Sequence, residues 1–209
     1  MKSIKKIALI AVAAIMSISL ANAQVGIQAG YSMSTNTSNE ISLNGFHVGP
    51  IYNMSIQGPI SLQYGLLYNY LTKQSEGTFV GITGTSTTTA HRLDLPVRVA
   101  ASFPLTSELN AFVFGGPNFN FGLSQKNDGT ADFWGLGSLD VESENIYKIE
   151  MSDGKKLISP FDLQLGLGGG LQYKNMGVRV SYDWGMLDRN NSDNIWKNND
   201  LKVGLFYNF

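Results

Sequence analysis

Phe161-Asp162-Leu163-Gln164-Leu165-Gly166-Leu167-Gly168-Gly169-Gly170-Leu171-Gln172-Tyr173 alternates with a period of two. One set of positions reads Phe, Leu, Leu, Leu, Gly, Leu, Tyr, and the other reads Asp, Gln, Gly, Gly, Gly, Gln. Successive side chains of a strand point to opposite faces, so this segment is a strand with one apolar face and one polar or bare face. Seven further segments share the rhythm, giving expected strands at 24–33, 44–55, 60–71, 88–103, 108–122, 161–174, 176–187 and 199–209. Most reach the roughly 9–11 residues that a tilted strand needs to cross a bilayer.

The connections alternate in length. Gln57-Gly58-Pro59, Pro104-Leu105-Thr106-Ser107 and Lys174-Asn175-Met176 are tight, with turn chemistry at Gly and Pro. The others, 34–43, 72–87, 123–160 and 188–198, are long and polar. Within 123–160, Ile146 to Glu150 followed by Ser152-Asp153-Gly154-Lys155 predicts a small hairpin. Short turns at one end and long loops at the other are the outer-membrane pattern. The expected fold is all-β: an eight-stranded antiparallel transmembrane β-barrel in the outer membrane of a Gram-negative envelope, with both termini periplasmic.

The N-terminus supports export. Lys2, Lys5 and Lys6 precede an apolar stretch from Ile7 to Leu20, and Ala21-Asn22-Ala23 is a small-x-small cleavage motif. The stretch is short for a spanning helix and meets the motif at once, which favours a cleaved signal peptide at 1–23 over an anchor. The expected barrel domain is 24–209. Its twelve basic and sixteen acidic residues give a net charge of −4 with His neutral. No basic stripe is present, so nucleic acid is not an expected partner. There is no cysteine, which excludes a disulfide framework, a thiolate metal site and a lipid-modified N-terminal cysteine. The mean hydropathy of −0.04 is what alternating strands produce.

Alternation alone does not distinguish a membrane barrel from a soluble barrel with an apolar interior. Three features favour the membrane. The polar face carries Arg92, Asp94, Arg98, Asp162, Arg179, Asp183 and Lys202 and is crowded with glycine, which suits the concave inside of a narrow barrel. On the apolar face Tyr31, Tyr68, Tyr70, Tyr173, Trp184, Tyr207 and Phe209 gather toward strand ends, like interfacial girdles. Leu201, Val203, Leu205, Tyr207 and Phe209 alternate up to a final phenylalanine, like the C-terminal strand read by the barrel-insertion machinery. Outer-membrane lipid and that machinery are the expected partners.

The near-balance of the seven inward charges predicts a salt-bridged, side-chain-filled lumen, since unpaired buried charges are costly. An ion path and a small-ligand pocket are the alternatives. Asp183 and Lys202 fall at similar heights on adjacent strands and are expected to pair, with Arg92 or Arg98 near Asp94 or Asp162. Catalytic chemistry has little support. His47 falls on the lumen face and His91 near the outer end of the fourth strand, neither in a recognisable constellation. Gly166 to Gly170 lacks the helix and Lys-Ser/Thr of a phosphate loop. Asp128, Asp132, Asp140, Glu142 and Glu144, and the stretch 190–200, do not match a calcium loop. No enzyme activity, cofactor or metal is expected.

His91-Arg92-Leu93-Asp94-Leu95-Pro96-Val97-Arg98 resembles the acid-x-Pro strand of the PorT-like outer-membrane barrels of Bacteroidetes-type bacteria. Phe114-Gly115-Gly116-Pro117-Asn118-Phe119 resembles that family's aromatic-Gly-Gly-Pro strand. The resemblance implies an eight-stranded outer-membrane barrel. Because the family's named member supports protein secretion to the cell surface, it also implies envelope or secretion proteins as partners, although no matched residue carries that role. Pro96 and Pro117 cannot donate to a ladder, so a bulge or register break is expected at each.

Overall fold

A computed structural model describes residues 23–38, 41–79, 82–133, 138–151, 154, 156–190 and 195–209. The proposed signal segment lies outside them except for Ala23. Among these described residues ten strands form: β1 (Ala23–Asn36), β2 (Ser42–Gln57), β3 (Ile60–Gly65), β4 (Leu67–Phe79), β5 (Ile82–Pro104), β6 (Leu109–Phe133), β7 (Ser138–Val141), β8 (Phe161–Tyr173), β9 (Met176–Gly185) and β10 (Asn198–Asn208). Each ring strand pairs antiparallel with its neighbours, and β10 returns to β1 through Gly26↔Asn208 to Asn36↔Asn198. The sheet therefore has no open edge around the ring. β3 and β4 are one barrel strand interrupted at Leu66, with the same register against β2 and β5 on both sides. With β7 outside the ring, eight strands close the barrel.

The interruption belongs to a line of irregularity at mid-barrel. Pro50 accepts from the Leu66 N–H at 3.0 Å. Across β5 and β6 the ladder runs Pro96↔Asn118, then Val99↔Gly115, omitting the pairs between. The register is unchanged across this gap, so neither the expected bulge nor a register break occurs at Pro96 or Pro117; the sheet simply opens where proline has no N–H to give. Gly116 in the gap has φ +149°, a conformation open to glycine alone. The register shift between β5 and β6 falls instead at His91/Arg92.

The outer face is apolar. Ile27, Leu165, Leu167, Val178, Val180, Val203 and Leu205 are exposed, Leu205 by 66 %. Tyr31, Phe46, Tyr70 and His91 are successive register partners across β1, β2, β4 and β5 and form an aromatic belt, with Tyr68 donating to or accepting from His91 Nδ1 at 2.6 Å. Tyr207 and Phe209 meet edge-on at 5.4 Å at the other end. A soluble protein does not leave such a band in water.

Two long connections differ from expectation. Residues 72–79 and 82–87 are strand, with β4 and β5 paired from Thr72↔Thr89 to Phe79↔Ile82, and β6 follows them to Phe133. Thr83, Thr85, Thr87, Thr88 and Thr89 are β-branched, which suits a pleated backbone even though the composition reads as loop. Within 123–160 the expected hairpin is reduced to one bridge, Glu150↔Lys156. Ile146 to Lys148 turn instead, while Ser152, Asp153 and Lys155 lie outside the described residues.

Candidate functional site

Inside the barrel, Asp183 is the hub of a buried ion cluster. Its Oδ1 accepts from Arg98 Nη2 and its Oδ2 lies 3.2 Å from Lys202 Nζ. Lys202 also reaches Asp94 Oδ2 at 2.8 Å and Asp200 Oδ2 at 3.9 Å. Arg98 Nη1 donates to the Gly116 carbonyl, so the open ladder at the proline line supplies an acceptor to the ion layer. Arg98, Asp94, Asp183 and Lys202 are all buried. A Cβ at Gly166 would fall on the Asp183–Arg98 contact, which explains that bare position in the opening segment.

Four of the expected seven charges thus meet in one cluster. Arg92 lies within electrostatic reach of Asp94 and Asp162, as expected, but its ion pair is with Asp200 at 3.7 Å, and it donates to Ser34 Oγ at 2.7 Å. Arg98 pairs with Asp183, not with Asp94 or Asp162. Asp162 is fully buried without a hydrogen bond to either carboxylate oxygen among the described residues. Arg179 stacks on the Phe114 ring at 4.2 Å.

Sequence reasoning missed two groups. Asp200 lies within the expected strand 199–209 and shares the parity of Lys202, but it is not among the seven expected inward charges; β10 places it buried in the lumen. Arg189, in the 188–198 connection, is buried over the ring of Tyr147 at 5.4 Å and donates to the Ser159 carbonyl at 3.0 Å. Tyr147 donates to Gln125 Oε1 at 3.3 Å and its ring occupies the space a Gly122 Cβ would need. Tyr147, Ser159 and Arg189, from the long connections, therefore pack together against Gly122 and Gln125 of β6. An apolar cluster of Ala100, Phe112, Phe114 and Phe206 inside the barrel was also unforeseen. The acidic connection residues serve local bonds: Asp128 accepts from the Ser143 N–H at 3.0 Å and Asp140 from Thr130 Oγ1 at 2.9 Å.

His47 is fully buried between Gln28 Nε2 at 2.8 Å and Ser32 Oγ at 2.9 Å. With the Gln28 amide donating to Nε2, the imidazole proton sits on Nδ1 and goes to Ser32 Oγ, which in turn donates to Asn69 Oδ1 at 3.2 Å. This direction is opposite to that of a serine nucleophile and its base. His91 faces outward among tyrosines.

A closed antiparallel ring with an apolar belt outside and charges inside defines a transmembrane β-barrel. Residues 15–189 match the model of the outer membrane protein beta-barrel domain. The chain belongs to that family, and with it to the outer membrane. Among solved structures, Ail, the attachment invasion locus protein of Yersinia pestis, is similar at 15% identity and TM-score 0.40, covering 90% of this chain and 99% of that one. Neisserial surface protein A has 15% identity, TM-score 0.44 and coverage of 90% and 99%. The outer membrane enzyme PagL has 14% identity, TM-score 0.45 and coverage of 88% and 98%. No curated protein matches the chain.

Proposed function

We propose that this protein is a non-conducting outer-membrane anchor that holds a polar sheet outside the bilayer as an interaction surface, with the short turns and both termini periplasmic. The lumen charges Arg92, Asp94, Arg98, Asp162, Arg179, Asp183 and Lys202 serve it structurally, as the plug, and not as a reaction centre. The observation that carries this reading is the length of β5 and β6, 23 and 25 residues, against the roughly 9–11 needed to span. Beyond the His91 belt their ladder runs from Ala90↔Gln125 to Ile82↔Phe133, about 30 Å of further strand. Threonine and serine occupy both faces there, so neither face suits hydrocarbon. Leu139 and Val141 of the edge strand β7 are exposed on the same sheet.

The absence of cysteine makes the test direct. Ser75→Cys, in the projecting sheet, should react with a membrane-impermeant maleimide on intact cells. Asn175→Cys, in a short turn, should react only after lysis. The opposite pattern overturns the orientation, and protection of both overturns the display.

The resemblance of 91–98 and 114–119 to PorT-like barrels supports an alternative, an accessory role in secretion or envelope assembly. Crosslinks from Asn175→Cys to envelope proteins favour it, and crosslinks from Ser75→Cys to external partners favour display. Val203, Leu205 and Tyr207 are exposed along β10 and Phe209 just after it, which supports its reading by the insertion machinery; deleting Phe209 should lower the assembled fraction.

A further inference from the structure

The projecting sheet ends in a free edge. β7 is its outermost strand, paired to β6 from Asp132↔Ser138 to Gly129↔Val141 on one side and to no strand among the described residues on the other. Its residues are all exposed, Leu139 by 62 % and Val141 by 66 %. Unpaired N–H and C=O groups along such an edge are a template for a further strand. Register fixes what that strand meets on each face. Leu139 and Val141 share a face with Gly77, Gly84, Ala131 and Gly129, through the partners Gly77↔Gly84, Gly84↔Ala131, Ala131↔Leu139 and Gly129↔Val141. A Cβ at Gly77 would meet nothing within 4 Å, and the nearest atom to one at Gly84 or Gly129 is 3.8 Å away. The floor of this face is bare backbone, and Val141 borders an open groove of about 540 Å³ over it.

The opposite face is acidic. Glu76, Thr85, Thr130 and Asp140 are successive partners across the sheet, and Asp128 stands beside them opposite Thr87. Glu142 and Glu144 follow β7 in the chain and are exposed. Among the described residues none of these carboxylates is in an ion pair. Six acidic residues and two lysines fall within 72–89 and 124–144, so this region holds the whole net charge of −4 found for 24–209. That charge decides between occupants of the edge. A second copy pairing through β7 would bring the acidic residues of two chains together, and like charges across strands destabilise a sheet. Charge on an edge is a device against self-pairing. A strand carrying lysine or arginine meets attraction at the same positions.

We infer that β7 takes an extended basic segment of a partner protein as an added strand, with apolar residues over the glycine groove beside Leu139 and Val141 and alternating lysine or arginine along Asp140 and its acidic row. Main-chain hydrogen bonds supply the affinity and the alternate side chains supply the choice of partner. Asp140 accepts from Thr130 Oγ1 at 2.9 Å, which holds its carboxylate on the face where the basic residues lie. The inference rests on the reading of this sheet as the displayed surface and names the chemistry of its partner.

The probe is a fluorescent capped peptide alternating valine and lysine, added to the folded barrel in phosphatidylcholine nanodiscs, with binding read by anisotropy. The controls are a valine–glutamate counterpart and the valine–lysine peptide N-methylated at every amide, which cannot donate to a ladder. The valine–lysine peptide should bind saturably and shift the amide NMR signals of 138–141, and each control should bind weaker by about tenfold or more. Asp140→Lys should weaken the valine–lysine peptide by about tenfold while keeping heat-dependent migration in electrophoresis. If Asp140→Lys does not fold, the contrast between peptides on the wild type decides. Equal binding of the lysine and glutamate peptides, full binding of the N-methylated one, equal uptake by empty nanodiscs, or a dimer joined through β7 overturns the inference. Nanodiscs open both sides of the membrane, so this result is separate from labelling on cells. Labelled Ser75→Cys without peptide binding leaves the display standing and removes this partner, and protected Ser75→Cys with peptide binding does the reverse.

Discussion

Asp183 and Asp200 are register partners on adjacent strands, and both side chains are buried in the lumen. Like charges directly opposite one another destabilise a sheet. Lys202, two residues along β10, has Ser181 as its own register partner yet reaches both carboxylates, at 3.2 Å and 3.9 Å. Arg98 holds Asp183 from across the barrel, while Arg92 and Gln164 hold Asp200, Gln164 Nε2 at 2.9 Å from Oδ2. The ion pair expected from equal heights is therefore diagonal, and its purpose is to make an acidic cross-strand pair tolerable.

A double-mutant cycle measures that dependence. Asp183→Asn and Lys202→Met should each destabilise the detergent-folded barrel by about 3–5 kcal/mol, and the double variant should cost clearly less than their sum. Urea unfolding monitored by tryptophan fluorescence gives all three values. Additivity within about 0.5 kcal/mol would falsify the coupling.

Gly166 and Gly77 offer a contrast within one residue type. A methyl at Gly166 displaces the Arg98–Asp183 contact, whereas a methyl at Gly77 meets nothing within 4 Å. Gly166→Ala should cost about 1–3 kcal/mol from overpacking alone, and Gly77→Ala should stay within about 0.5 kcal/mol of wild type. Equal midpoints in the same unfolding assay contradict the crowded-lumen geometry.

Outside the bilayer, Glu108 predicts an acid-side response. Its carboxylate accepts from the Tyr173 hydroxyl at 2.7 Å and pairs with Lys174 Nζ at 3.0 Å. Both contacts hold its pKa below the ordinary value of 4.5. The stability they supply is present above 4.5 and is lost as pH falls through the lower folded-state value. Carboxyl NMR should give a Glu108 midpoint below 4.5, and Tyr173→Phe should raise it. A midpoint at or above 4.5 in the wild type is the opposing result.

Much of the barrel was legible because a period of two is written directly into residues such as Leu165, Leu167, Gly166 and Gly168. The lumen face of Asp94, Asp162 and Asp183 followed from the same parity. Pairing did not follow, since parity says which face a charge occupies but not which distant strand it meets: Arg98 and Asp183 are 85 positions apart. Arg189 and Tyr147 were invisible for a different reason. They enter the lumen mouth from irregular connections, where no periodicity marks an inward side chain. The projecting sheet was read as loop because Thr, Ser and Gly dominate 83–89, and without an apolar face alternation leaves no trace. The Asp94-Leu95-Pro96 and Gly116-Pro117 segments, which carried the family resemblance, turn out to frame the ion layer itself.

On the proposed reading the barrel is closed to bulk flow, with the Asp94–Lys202–Asp183–Arg98 contacts spanning the lumen and Tyr147 packed with Arg189 toward the long connections. The most direct measurement is single-channel recording of pure, folded protein in planar bilayers. The barrel should insert without stable porin-sized conductance, and stay silent across salt and voltage ranges that leave it folded. Reproducible, long-lived channels of porin size from heat-modifiable protein would contradict it.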